Sequence, residues 1–332
     1  MKSNHLSFKE ITFLIFATGL GIFLFFQNPY LKNFFTPGSE DWYVNFSVMI
    51  FHPNEAYWNE SILLPLIGKL TGASRSLAGY KVLCALISMM LLPTLAALCL
   101  RHFKRISHSY FFIICFSISF RYLWSYDLGH PDPLTILFLC AIPFLQSIPM
   151  IFICAIMATL SHFSMAIIAI AELLLLYWLT SNSKCNVTKR IPFALIAGVI
   201  SGRFFLGLWY WLFHYTSPLG RIEFILNSGF LFFYDRYQQN PLQFWIMPGV
   251  TFITLNTLMF CIFLFQKKWG LCLGLITSIA ISYSALFITV DGLRVFSVVS
   301  CGAFVFLLIK TIDFLSFFQK SNSLSNNRLA KE

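Results

Sequence analysis

Four short stretches of this chain carry residue types that could do chemistry. Glu40 and Asp41 are adjacent carboxylates. In a partly dry cleft such a pair can supply a general base and a ligand for a metal or a hydroxyl, because burial makes a carboxylate a better proton acceptor. The plainer alternative is a solvated loop in which Ser39 to Asp41 caps the next helix. The run from Asp127 through His130, Pro131 and Asp132 to Pro133 is stiffened by prolines on both sides of Asp132, which suits a carboxylate that must be held at one depth. An ordinary helix start, with Asp132 as N-cap and Pro133 first in the helix, accounts for Asp132 but not for Asp127 or His130. His162 stands at a corner between apolar segments, flanked by Ser161 and Ser164. Arg294 follows Asp291 by three residues, and its guanidinium matches phosphate oxygens bidentately, unless it merely pairs with Asp291. Arg221 is a second arginine of the same kind.

The elements that must position these residues are membrane helices. The chain of 332 residues is 58% hydrophobic and only 11% charged, where globular domains carry about 25%, and its mean hydropathy is +0.75. Apolar runs able to cross about 30 Å of hydrocarbon fall near 11–26, 80–100, 109–123, 134–146, 148–161, 163–179, 191–213, 242–265, 270–290 and 294–318. Lys2 and Lys9, then Arg101, Lys104 and Arg105, then Lys184, Lys189 and Arg190, then Lys267 and Lys268, and last Lys320, Arg328 and Lys331 all fall on one side of this count. Basic loops mark the cytoplasmic side. The expected fold is therefore an all-α, polytopic transmembrane helical bundle of about ten helices, with both termini cytoplasmic. The net charge of +10 is a topology signal, and no nucleic-acid partner is expected. The nine cysteines are scattered without metal-type spacing, as packing residues.

Every candidate residue then lies on the outer face. The outer loop 27–79 exceeds the length of a simple connector, and Trp42, Tyr43, Phe46, Met49, Ile50 and Phe51 predict an amphipathic helix, with a second over Ile62 to Leu70. Loop 214–241 has a similar pattern, so the two loops are expected to roof a cavity. Residues 1–318 form a single transmembrane domain, and 319–332 read as a disordered cytoplasmic tail. Inside the membrane, Glu172 and Arg203 each fall roughly 14 Å from the outer end of consecutive antiparallel helices, which predicts an ion pair. Gly198 with Gly202, and Gly270 with Gly274, are spaced for close helix packing.

On the acidic pair Glu40 and Asp41, the amphipathic first loop, the His130 to Pro133 entry to a span, and the outer-face acids and arginines, the chain resembles the GT-C superfamily of polytopic membrane glycosyltransferases. That resemblance implies sugar transfer from a polyprenyl-phosphate donor to a lipid or glycan acceptor. It implies Asp41 as catalytic base, with Glu40, Asp132 and His130 beside it. Arg294 and Arg221 would meet the lipid phosphate, with His162, Asp127 and Asp291 contributing to substrate binding. A divalent metal, Mg or Mn, is a conceivable cofactor, with no metal ligands assigned. The setting implied is the cell membrane, multi-pass, of a bacterial inner membrane. The stretch from Leu160 to Ser164 is also similar to a helix start in O-antigen and exopolysaccharide polymerases. A secondary transporter with Glu172 and Arg203 at its midplane is the reading from another class, and the lack of internal repeats argues against it.

Overall fold

In the computed structural model the described residues are 6–27, 40–51, 61–120, 130–180, 186–214, 248–286 and 292–329, with isolated positions between 234 and 242; the side chains of 40–43, 186–189, 293 and 317–329 are not among them. In hydrocarbon each backbone N–H and C=O must find its partner within the chain. The described residues are accordingly helical, with no strand among them. In order they form α1 (Phe8–Phe26), α2 (Glu40–Val48), α3 (Leu63–Thr71), a 3-10 turn at Ala73–Arg75, α4 (Leu77–His102), α5 (Ile106–Ser119), α6 (Asp132–Ala141) with a 3-10 extension at Ile142–Phe144, α7 (Ile148–Ser161), α8 (Phe163–Thr180), α9 (Asn186–Leu212), α10 (Val250–Phe265), α11 (Trp269–Leu286) and α12 (Gly292–Leu329).

Six of these are long and apolar enough to cross a membrane: α1, α4, α8, α9, α11 and α12. The apolar helices α5, α6, α7 and α10 are shorter. The chain is thus a multi-pass membrane protein by the length and composition of its helices. Its centre is α12, whose apolar window is 94% buried, while α1 at the rim is 22% buried. Around α12 stand α5, α6, α8, α10 and α11. The helix runs on to Leu329, through the segment that composition suggests as a disordered tail. That stretch contains no glycine or proline to stop it.

Close helix pairs depend on small residues. A Cβ on Gly198 would lie 2.5 Å from that of Ala155, and one on Gly202 would lie 2.7 Å from that of Thr159, so α9 lies directly on α7. Gly270 and Gly274 let α11 approach Leu179 and Leu176 of α8 in the same way. Both glycine pairs therefore do what their spacing predicts.

Within the segment 27–79 the described residues form two short helices, α2 and α3, the first ending at Val48, before Met49 to Phe51 of the expected stripe. Ser47 Oγ donates to the Pro65 carbonyl at 2.6 Å, and Lys69 Nζ to the Val48 carbonyl at 2.7 Å, which ties α2 to α3. Gly68 lets Tyr80 of α4 pack under them, since a Cβ there would meet its ring at 2.8 Å. Val44 joins Leu64, Tyr80, Cys84 and Leu134 in one apolar cluster. Phe46 and Ile50 join Leu206 of α9 in another, beside Leu160 and Phe163. Helix α2 thus lies across one end of the bundle, between the start of α6 and the α7–α8 corner.

The expected ion pair between Glu172 and Arg203 does not form. Glu172 is fully buried and accepts from Ser278 Oγ at 2.8 Å and Ser282 Oγ at 2.7 Å, both on α11. Arg203 instead places its Cζ 4.7 Å from the centre of the Phe163 ring at the start of α8. Helical depth counted from Cα positions misses this, because a long arginine side chain snorkels toward the end of the bundle. Glu172 lies nine residues beyond Phe163, about 13 Å deeper at about 1.5 Å per residue.

Candidate functional site

Four of the candidate residues meet at the end of the bundle that α2 crosses. Arg294 Nη1 donates to Asp132 Oδ2 at 2.8 Å and lies 3.2 Å from His130 Nδ1. A guanidinium has only donors, so a hydrogen bond between these two groups would have Nδ1 of His130 as its acceptor. The imidazoles of His130 and His162 both lie close enough to act electrostatically on the Asp132 carboxylate. Asp132 and His162 are each 5% exposed. Among the described residues no hydrogen bond reaches the buried Oδ1 of Asp132.

The local sequence explains how the parts arrive. Helix α6 has Pro131 at its N-cap, with Asp132 as its first helical residue and Pro133 as its second. The expected start with Asp132 as N-cap and Pro133 first in the helix is therefore shifted by one residue, and the Asp132 carboxylate turns to Arg294, 162 residues away in sequence. Thr135 Oγ1 donates to Ser161 Oγ at 2.9 Å, and Ser161 Oγ to the Pro131 carbonyl at 3.2 Å. This small network clamps the end of α7 to the start of α6 and so carries His162 to the site. His162 itself has an extended backbone, φ −156°, that breaks the chain between α7 and α8.

Electrostatically the site suits the buried Asp132 carboxylate. Helices α6, α8 and α12 all begin here, and each helix start carries partial positive charge. A cation in the first turn of a helix is disfavoured, so Arg294 is not there for the stability of α12; its charge is balanced by Asp132. The pair is largely shielded, with side-chain exposures of 11% and 7%.

At the opposite end, His102 Nε2 lies 3.9 Å from Asp313, the rings of His102 and Phe144 are 5.7 Å apart, and Lys268 Nζ lies 5.6 Å from the centre of the Phe314 ring. Arg294 and Asp313, nineteen residues apart on α12, span about 28 Å at about 1.5 Å per residue, close to the thickness of a bilayer's hydrocarbon. The basic residues around 101–105 and 267–268 are gathered at this second end.

The remaining candidates divide in two. Glu40 and Asp41 are the first two residues of α2, with their side chains outside the described residues. Asp127, Arg221 and Asp291 lie outside the described residues altogether. Among the described residues no three His, Cys, Asp or Glu side chains are arranged to hold a metal ion. The cation beside Asp132 is a guanidinium, so the donor set there does not fit Mg or Mn.

One buried cation has no counterpart in the sequence reading. Lys81, in the second turn of α4, is 1% exposed. Its place near a helix end suggests a snorkelling interfacial lysine. The signal that points elsewhere is its spacing with Ala85, Ser88 and Leu92, all on the buried face of α4. No family model, no curated protein and no solved structure matches this chain.

Proposed function

We propose that the chain is an integral membrane glycosyltransferase that moves a sugar from a polyprenyl-phosphate-linked donor to a glycan or lipid acceptor on the outer face of a bacterial inner membrane. On this reading the bundle has about ten spans, both termini are cytoplasmic, and the Asp132–Arg294 end faces out. The observation that carries it is the convergence of Arg294, two imidazoles and three helix starts around one buried carboxylate. A departing lipid phosphate needs such a surround. In the transfer, a carboxylate takes the proton of the acceptor hydroxyl and the oxygen attacks the anomeric carbon. The bond from that carbon to the phosphate oxygen breaks, and the phosphate leaves with the electron pair, met by Arg294. Asp41 is the proposed base, since α2 lies across the site and Asp41 stands one turn before Val44, which packs with Leu134. Asp132 then holds Arg294 in place and presents Oδ1 to the acceptor.

A polymerase that joins lipid-linked glycans would use the same parts, with His162 nearer the acceptor. Comparing lipid-linked and surface glycans of cells with and without the gene separates the two. Loss of a single sugar indicates the transferase, and shortened polymer indicates the polymerase. Unchanged glycans in both pools overturn the reading. Complementation with Asp41→Asn is expected to lower transfer by about 10²–10⁴-fold, the usual cost of losing a general base, with the amount of inserted protein unchanged.

A further inference from the structure

Glu172 is a buried ionisable group that the proposed transfer does not use. It is the tenth of the 18 residues of α8, and Ser278 is the tenth of the 18 residues of α11, so both stand at the middle of helices long enough to cross a membrane. Each carboxylate oxygen meets one serine: Oε2 lies 2.8 Å from Ser278 Oγ, and Oε1 lies 2.7 Å from Ser282 Oγ. The two serines are one turn apart and project from the same face of α11. A Cβ on Gly274, one turn before Ser278, would lie 2.6 Å from Leu176 Cδ2 of α8. The helices are therefore close enough for short side chains to meet across the gap.

What these contacts leave open is the charge. Two hydroxyls supply hydrogen bonds but no positive charge, and a carboxylate in hydrocarbon is too costly to keep without a counter-charge. Among the described residues no cationic side chain pairs with Glu172, and no charged group acts on its carboxylate. Arg203, at the same nominal depth, is turned to Phe163. The neighbouring Leu173, Leu176 and Leu275 belong to the apolar core, so the surroundings do not replace water.

We propose that Glu172, Ser278 and Ser282 bind a small monovalent cation, of the size of sodium, between α8 and α11. Four oxygens from three side chains converge there, and hard cations take oxygen ligands. One carboxylate supplies one negative charge, which matches a monovalent ion, whereas a divalent ion would leave a net positive charge in hydrocarbon. A serine hydroxyl has one hydrogen and two lone pairs. On binding, each hydroxyl turns a lone pair to the ion and gives its hydrogen to the carbonyl one turn back in α11, a bond open to any helical serine. Oxygens already within 2.7 and 2.8 Å of each other close round a small ion more readily than round a large one. The bound ion neutralises Glu172 and ties two spans together at mid-depth.

The test uses the purified full-length protein in detergent, with thermal melting and the binding of radioactive sodium as readouts. Sodium or potassium chloride replaces choline chloride at constant ionic strength. Saturating sodium is expected to raise the melting temperature of the wild type by a few degrees, with potassium less effective. Glu172→Gln keeps the shape and still bonds to both serines but carries no charge, so its melting should not respond to sodium. Ser282→Ala keeps the carboxylate and removes one ligand. It should bind sodium about tenfold more weakly, and it guards against a Glu172→Gln protein that fails to fold. A wild type that melts alike in sodium and choline and binds no sodium overturns the assignment, leaving a proton to neutralise the carboxyl. A sodium response that survives in Glu172→Gln, or an unchanged affinity in Ser282→Ala, puts the ion elsewhere and overturns it too. An equal response to potassium removes the small-ion assignment. Sugar transfer enters none of these readouts, so their outcome is independent of the proposed reaction.

Discussion

Separating Arg294 from Asp132 is the sharpest test of the site. At 2.8 Å and an effective dielectric constant of about 20, the attraction is about 6 kcal/mol before desolvation is charged against it. Removing one partner strands the other charge in a shielded place, at a cost of about 3–5 kcal/mol. Asp132→Asn and Arg294→Gln should therefore each destabilise the protein by about that much. The double variant strands neither charge and should recover about 1–3 kcal/mol relative to the sum of the singles. Thermal unfolding in detergent can be followed with a thiol-reactive fluorogenic dye, because seven of the eight described cysteines are buried and become reactive only on unfolding. A double variant that loses the full sum would mean that the two residues share no energy, and the electrostatic account of the site would collapse with them.

Other perturbations test the frame around the site. Ser278→Ala and Ser282→Ala should each cost about 1–3 kcal/mol by leaving a buried oxygen of Glu172 without its donor, and each should be additive with Arg203→Gln to within about 0.5 kcal/mol; melting of the double variants decides, and strong coupling to Arg203 would restore the ion pair. Gly198→Val should lower the melting temperature sharply by driving α9 off Ala155, whereas Gly207→Ala, with nothing within 4 Å of its Cβ, should be neutral or slightly stabilising in the same assay. Reporter fusions after 105, 187 and 268 should read cytoplasmic and those within 40–60 and 218–238 external. An external reading after 187 would move the α7–α8 corner to the other side of the membrane.

The helices were legible in the sequence because hydrocarbon leaves the backbone one economical solution, and the apolar runs declare it even where, as in α5, α6, α7 and α10, they are short. Each expected span coincides in its core with a helix, two short helices form within 27–79, and the glycine pairs mark close crossings. Those are local properties, carried by residues three or four apart. His130, Asp132, His162 and Arg294 could be nominated individually, since polar residues at the ends of apolar runs are few. Their meeting could not be read, because it depends on α6 and α12 lying side by side in the bundle. The same limit explains the errors. Asp132 reads as a cap, but the helix takes Pro131 as its N-cap and the Asp132 carboxylate goes to the guanidinium of Arg294. Glu172 and Arg203 share a nominal depth, yet Arg203 is long enough to leave it while Glu172 finds hydroxyls on α11, more than a hundred residues away. Lys81 is not singled out by its sequence because burial is a property of what surrounds a helix, and only the assembled bundle decides which face of α4 is covered.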